Sequence, residues 1–214
     1  KKYRVIITPP FTLIESYSKY FKNKNIYIGS QNCYHKEIFS SDTSAVSPYM
    51  LRSVGAKYTL VGHSDNRAEG DTDDMLKSKV THSLKNKLKV VFCIGENKIE
   101  KKNKKTLFVL KKQLSKVLNK KINTKNIIVA YEPIWSIGTG KIPTEQELRK
   151  TTIYIKKVLK EIFKRKAPPV LYGGSVDGSN VEMFKEIREI DGFLVGGASK
   201  SSKKFIDIIK NYYR

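Results

Sequence analysis

Apolar runs of strand length alternate with amphipathic stretches from one end of the chain to the other. The runs Tyr3–Thr8, Ile26–Gly29, Tyr58–Gly62, Val90–Gly95, Ile127–Tyr131, Val170–Gly173 and Gly192–Val195 are short and rich in β-branched or aromatic residues. Each is bounded by Gly, Pro or polar residues, which predicts a strand. Both faces of most of them read apolar, as in parallel strands covered by helices. Between them, Leu107, Leu110, Leu114, Val117 and Leu118 recur at helical spacing, as do Leu148, Ile155, Leu159 and Ile162. Both stripes are set among lysines, which predicts helices packing one face on the sheet and turning the other to solvent. Thr144 stands three residues before Glu147, and Ser179 three before Glu182, so two helix starts are expected to carry capping boxes. The pairs Lys101-Lys102 and Lys120-Lys121 read as solvated helix ends.

Alternating β and α along the whole chain predicts an α/β fold with a parallel sheet. No linker or composition break interrupts it, so residues 1–214 are expected to form a single domain. Seven strands are visible, and a closed barrel of this kind has eight. A doubly wound open sheet would usually carry a Gly-rich phosphate turn after its first strand. The turn here, Pro9-Pro10-Phe11, cannot be one.

Composition narrows the classes. The chain has 214 residues, of which 39% are hydrophobic, and 12 Tyr with 9 Phe are too many for a disordered polybasic chain. The 2 Cys give no disulfide framework, so a reducing compartment is expected. No apolar run approaches the roughly 18 residues of a membrane span, and the first residues hold no apolar signal region. The net charge of +22 invites a nucleic-acid reading. Lys greatly outnumbers Arg, however, and Asn, Ile and Tyr are abundant too, a bias that AT-rich codons produce by themselves. No nucleic-acid partner is expected. A basic surface would also draw in an anionic substrate.

The unusual polar residues and glycines gather at the carboxyl ends of the strands: Gln31-Asn32, His63-Ser64, Gly95-Glu96, Glu132, Gly173-Gly174-Ser175 and Gly196-Gly197. In an α/β barrel those ends converge on one face, where the chemistry lies. Taken singly, Glu132 is more often an ion-paired loop residue and His63 more often a satisfied structural histidine. Together they are a candidate base and a candidate electrophile: a carboxylate with a poised pKa, and a neutral imidazole that donates to a carbonyl. The two Gly-Gly pairs suit close approach of backbone N–H groups to a phosphate, the alternative being tight turns without a ligand. The Pro- and Gly-containing stretch from Pro133 to Lys141 reads as a lid between hinges, with Trp135 as its anchor, the alternative being a static loop.

These segments resemble triosephosphate isomerase. The resemblance is carried by Val61-Gly62-His63-Ser64, Tyr131-Glu132-Pro133-Ile134-Trp135 with Ile137-Gly138-Thr139-Gly140, Tyr172-Gly173-Gly174-Ser175-Val176 and Val195-Gly196-Gly197-Ala198-Ser199. Thr8-Pro9-Pro10-Phe11, Gln31-Asn32-Cys33 and Cys93-Ile94-Gly95-Glu96 add to it, in the family's order and over nearly the whole chain. It implies a (β/α)8 TIM barrel and interconversion of dihydroxyacetone phosphate and D-glyceraldehyde 3-phosphate through an enediol(ate), in glycolysis and gluconeogenesis. Glu132 matches the family's base and His63 its neutral electrophile. Gly138, Ser175, Gly196 and Gly197 match positions whose backbone N–H groups bind phosphate. The resemblance further implies no metal and no organic cofactor, a cytoplasmic enzyme, and a homodimer.

Two departures stand out. By resemblance the chain starts at the family's second strand, so the first βα unit, with its Asn and its charge-neutralising Lys, is expected to be absent and strands two to eight present. Three explanations compete: an N-terminal segment omitted from the sequence, a truncated chain, or a degenerate relative. The missing Met favours the first two. At the expected subunit contact, the stretch Ser41-Asp42-Thr43-Ser44-Ala45 keeps Thr43, but Asn66 stands where the family commonly has Arg and Ala45 where it has Glu. The chief rival reading is an inactive barrel relative acting as a binding or structural protein.

Overall fold

The computed structural model describes residues 3–22, 24–37 and 41–213. All seven expected strands form, each within two residues of its expected bounds: β1 Val5–Ile7, β2 Ile26–Ser30, β3 Tyr58–Val61, β4 Lys89–Ile94, β5 Ile127–Tyr131, β6 Val170–Tyr172 and β7 Gly192–Phe193. They pair side by side in chain order as one sheet. Every pairing is parallel, with Leu60 opposite Val91, Cys93 opposite Ala130, and Ala130 opposite Leu171. The helices between them are α1 Ile14–Tyr20, α2 Pro48–Ser53, α3 Ser64–Ala68, α4 Asp73–Lys85, α5 Lys98–Lys102, α6 Thr106–Val117, α7 Glu145–Phe163 and α8 Ser202–Tyr213. The sheet curls far enough for Tyr3, just ahead of β1, to stack on Tyr213 at the end of α8, ring centroids 5.0 Å apart.

Side chains alternate across the pleat, so the two faces of the curled sheet bury different sets. Tyr58, Leu60, Val91, Cys93 and Ala130 form a small interior cluster, with Ile6, Ile128, Leu171 and Leu194 packed on it. The intervening residues, Val61, Val90, Phe92, Ile94, Ile127, Val129 and Tyr131, meet the helices in one large outer core. This is the inside-and-outside division of a barrel wall, and it explains why both faces of each strand read apolar.

α7 shows how the outer layer forms. Its start carries the expected capping box between Thr144 and Glu147, and Leu148, Ile155, Val158, Leu159 and Phe163 are buried along one side. Each such side chain contributes about 1.5–3 kcal/mol relative to exposure. The stripe in α6 also forms, with Leu110, Leu114 and Val117 buried. The expected box at Ser179 does not. Asp177 instead accepts hydrogen bonds from the backbone N–H groups of Ser179 and Asn180 and from the Ser179 hydroxyl. The chain continues as a 3-10 turn, Val181–Glu186, with no side-chain cap. A short acceptor two positions upstream of the expected cap wins the orphan N–H groups first. A capping box not expected from the sequence closes the start of α5, between Asn97 and Glu100.

Candidate active site

Two positions beyond the interior residues Leu60, Cys93, Ala130 and Leu171, the same face of the sheet presents Gly62, Gly95, Glu132 and Gly173. A single carboxylate thus stands among three residues without side chains. Glu132 is 4% exposed, and its N–H donates to the Ile94 carbonyl at 2.8 Å. A Cβ on Gly95 would fall 1.8 Å from the Glu132 carbonyl oxygen, and one on Gly173 would fall 2.6 Å from Glu132 Cγ. Glu132 Oε1 lies 3.4 Å from His63 Nε2. Oε2 is buried without a hydrogen-bond partner among the described residues. Burial, and next the charge of Glu132, push the Cys93 thiol well above its usual range.

His63 caps the start of α3. The Asp65 backbone N–H donates to its Nδ1 at 3.3 Å. An Nδ1 that accepts leaves the ring proton on Nε2, on the side of Glu132. The hydrogen bond with Glu132 raises the pKa of His63 above its usual value; burial opposes this, and the charges of Glu132 and Asp65 add to it.

The loop expected to be a lid, Pro133 to Lys141, follows Glu132 directly and is fastened at its root. The Ile134 N–H donates to the Glu96 carbonyl at 3.0 Å, and Trp135 Nε1 donates to Glu96 Oε1 at 2.8 Å. The Tyr131 hydroxyl donates to the same buried carboxylate at 3.2 Å. Burial raises the pKa of Glu96, against the pull of these donors. Lys101 Nζ lies 3.5 Å above the Trp135 ring and 3.5 Å from Glu147 Oε1. Lys101, expected as a solvated helix end, lies in the last turn of α5 and also stacks its amine on the Trp135 ring. Further along, the Ser175 hydroxyl donates to the Ser136 carbonyl at 2.7 Å and accepts from the Gly140 N–H at 3.2 Å. Gly138 and Gly140 have φ of 66° and 72°, a conformation suited to glycine at the turn of the loop.

The expected phosphate residues lie at the carboxyl ends of β6 and β7 and in the lid. Nothing lies within 4 Å of a Cβ built on Gly138, Gly196 or Gly197. Gly174 differs: its Cβ would meet the Tyr172 hydroxyl at 2.1 Å and Ser136 Oγ at 2.6 Å, so packing against the lid root requires glycine there.

Gln31 and Asn32 stand apart from this group. Gln31 Nε2 donates to the Thr8 carbonyl at 3.0 Å, bridging β1 and β2. Asn32 Oδ1 accepts from Lys79 Nζ at 2.9 Å, and Lys79 pairs with Asp71 at 2.7 Å, both side chains buried. Removing one partner of such a pair costs about 3–5 kcal/mol. Nothing in the sequence marked Lys79, a lysine among lysines. Arg67 also escaped sequence reasoning. The available signal was its type, since arginine is rare in this chain and here follows the candidate histidine by four residues.

The family description Triosephosphate isomerase matches residues 1–212. The chain is 39% identical over 207 residues to triosephosphate isomerase of Thermodesulfovibrio yellowstonii, covering 95% of this chain and 84% of that protein. It is 38% identical over 211 residues to triosephosphate isomerase of Saccharomyces cerevisiae, covering 97% and 84% respectively. The crystal structure of triosephosphate isomerase from Bartonella henselae superposes with a TM-score of 0.92 at 29% identity, over 100% of this chain and 88% of that one.

Proposed function

The chain belongs to the triosephosphate isomerase family, and on that footing we propose that it interconverts dihydroxyacetone phosphate and D-glyceraldehyde 3-phosphate. Glu132 takes a proton from the carbon beside the substrate carbonyl and returns it to the neighbouring carbon. His63 donates from Nε2 to the carbonyl oxygen and so stabilises the enediol(ate). The 3.4 Å approach of Nε2 to Glu132 is the place the substrate carbonyl takes over. Backbone N–H groups of Gly138, Ser175, Gly196 and Gly197 hold the phosphate, and the lid closes to keep water from the intermediate. The observation that carries this reading is a buried carboxylate with one unpartnered oxygen, facing an imidazole whose other ring nitrogen accepts from the Asp65 backbone N–H.

The enzyme works as one domain in glycolysis and gluconeogenesis, in the cytoplasm, and as a homodimer. Among the described residues no helix is long and apolar enough to cross a membrane. Family membership supports the dimer.

A coupled assay on wild-type protein and on Glu132→Gln tests the reading. The variant is expected to lose kcat on the order of 10³-fold while inhibition by inorganic phosphate is kept. Unchanged turnover would overturn the assignment of Glu132. A wild-type protein without turnover that bound nucleic acid in a salt-sensitive way would favour the rival binding protein.

A further inference from the structure

Arg67 spends its guanidinium on backbone. Its Nε donates to the Gly62 carbonyl at 2.7 Å and its Nη2 to the Cys93 carbonyl at 3.0 Å. Among the described residues no carboxylate comes within ion-pair distance of it. Gly62 is the residue before His63, and Cys93 is the interior β4 residue whose thiol lies beside Glu132. A Cβ on Gly62 would lie 2.9 Å from Nη2, so the fork is seated against the strand end. The Gly62 φ of 79° turns the chain into the His63 cap of α3 while its carbonyl is held by the arginine. One rigid, planar group therefore ties together the ends of two adjacent strands, the first bearing the imidazole and the second flooring the carboxylate. Lysine, a point donor on a flexible stem, cannot span both carbonyls with one fixed geometry.

We propose that Arg67 is a positioning residue for the isomerase reaction: by clamping the Gly62 and Cys93 carbonyls it fixes the separation and tautomer of the His63–Glu132 pair. The proposal rests on the isomerase reading for its kinetic consequence, and on geometry alone for its effect on His63.

The test compares the full chain with Arg67→Met and Arg67→Lys, by steady-state kinetics and by ¹⁵N NMR of labelled histidine, with His63 assigned through His63→Gln. In wild-type protein the neutral His63 ring is expected to hold its proton on Nε2. In Arg67→Met the two tautomers mix and kcat falls roughly 10²-fold, the scale of a 1 Å misplacement, with KM little changed because the phosphate residues are elsewhere. Arg67→Lys keeps the charge and restores part of kcat. If Arg67→Met does not fold, Arg67→Lys alone carries the test, with kcat expected clearly below wild type. An unaltered His63 tautomer, or a loss of thermal stability without loss of kcat in folded protein, would overturn the proposal. If wild-type protein shows no isomerase turnover, it is the isomerase reading that falls, and the tautomer comparison still decides the clamp.

Discussion

The floor of the site, at the ends of β3 to β6, and its rim, at the end of β7, are built on opposite terms. The floor strands have 4, 6, 5 and 3 residues and are mostly buried, whereas β7 has 2, both only partly buried. Around Glu132 there is no room: an added methyl on Gly95 or Gly173 runs into it. Around Gly196 and Gly197 there is nothing but room. Moving a proton between fixed atoms demands placement to a fraction of an ångström. Holding an anion through backbone N–H groups demands open space and exposed donors. Paired glycine substitutions break the comparison most sharply. Gly173→Ala should push the Glu132 side chain aside, lowering kcat by about 10²-fold and stability by about 1–3 kcal/mol. Gly197→Ala meets no atom, so thermal stability should hold while inhibition by inorganic phosphate weakens. Equal effects of the two on stability would erase the distinction.

The loop after Glu132, the proposed lid, divides in the same way. Its root is locked through Glu96, Trp135 and Lys101, and its turn carries the two glycines of positive φ. The chain has 1 Trp, so its fluorescence reports the root directly. Lys101→Ala removes a cation over the ring worth about 0.5–2 kcal/mol. A two- to tenfold fall in kcat/KM is about what part of that range would give, with a shifted emission both free and with phosphate added. Unchanged emission would mean that the cation does not hold the indole.

What the sequence showed and what it hid follow a physical line. Strands and the α7 start were legible because period and capping are local: Thr144 and Glu147 sit on one turn. The Ser179 box failed on an equally local ground, a competing Asp177 that the pattern does not weigh. Glu132 and His63 stood out by type and by place at strand ends. Arg67, Lys79 and Lys101 did not, because their meaning lies in partners 26, 47 and 34 positions away: Cys93, Asn32 and Trp135. Among so many lysines, nothing separates one that is buried or stacked from one in water. Gly173 reads from the sequence as part of a phosphate turn; its contact with Glu132, which its Cβ would meet, was not legible there.

The smallest expected effect tests the boundary between floor and solvent. The raised pKa of His63 arises first from its hydrogen bond to Glu132, against burial, and then from the charges of Glu132 and Asp65. Because the folded value is raised, protonation of His63 stabilises the fold at low pH, and that contribution is lost as pH rises through the raised value. Activity runs the other way, since the imidazole must be neutral to serve as the electrophile. The acid limb of kcat/KM should therefore lie above 6.5, the ordinary imidazole value. Asp65 supplies the weakest of the raising influences, and its side chain is 81% exposed. Asp65→Asn should accordingly move the limb down by a small amount, and added salt should shrink the difference between the two proteins. NMR titration of His63 in both proteins identifies the group. A limb that stays put while His63 moves would assign the acid side of the profile to another residue and detach the electrophile from the pH dependence.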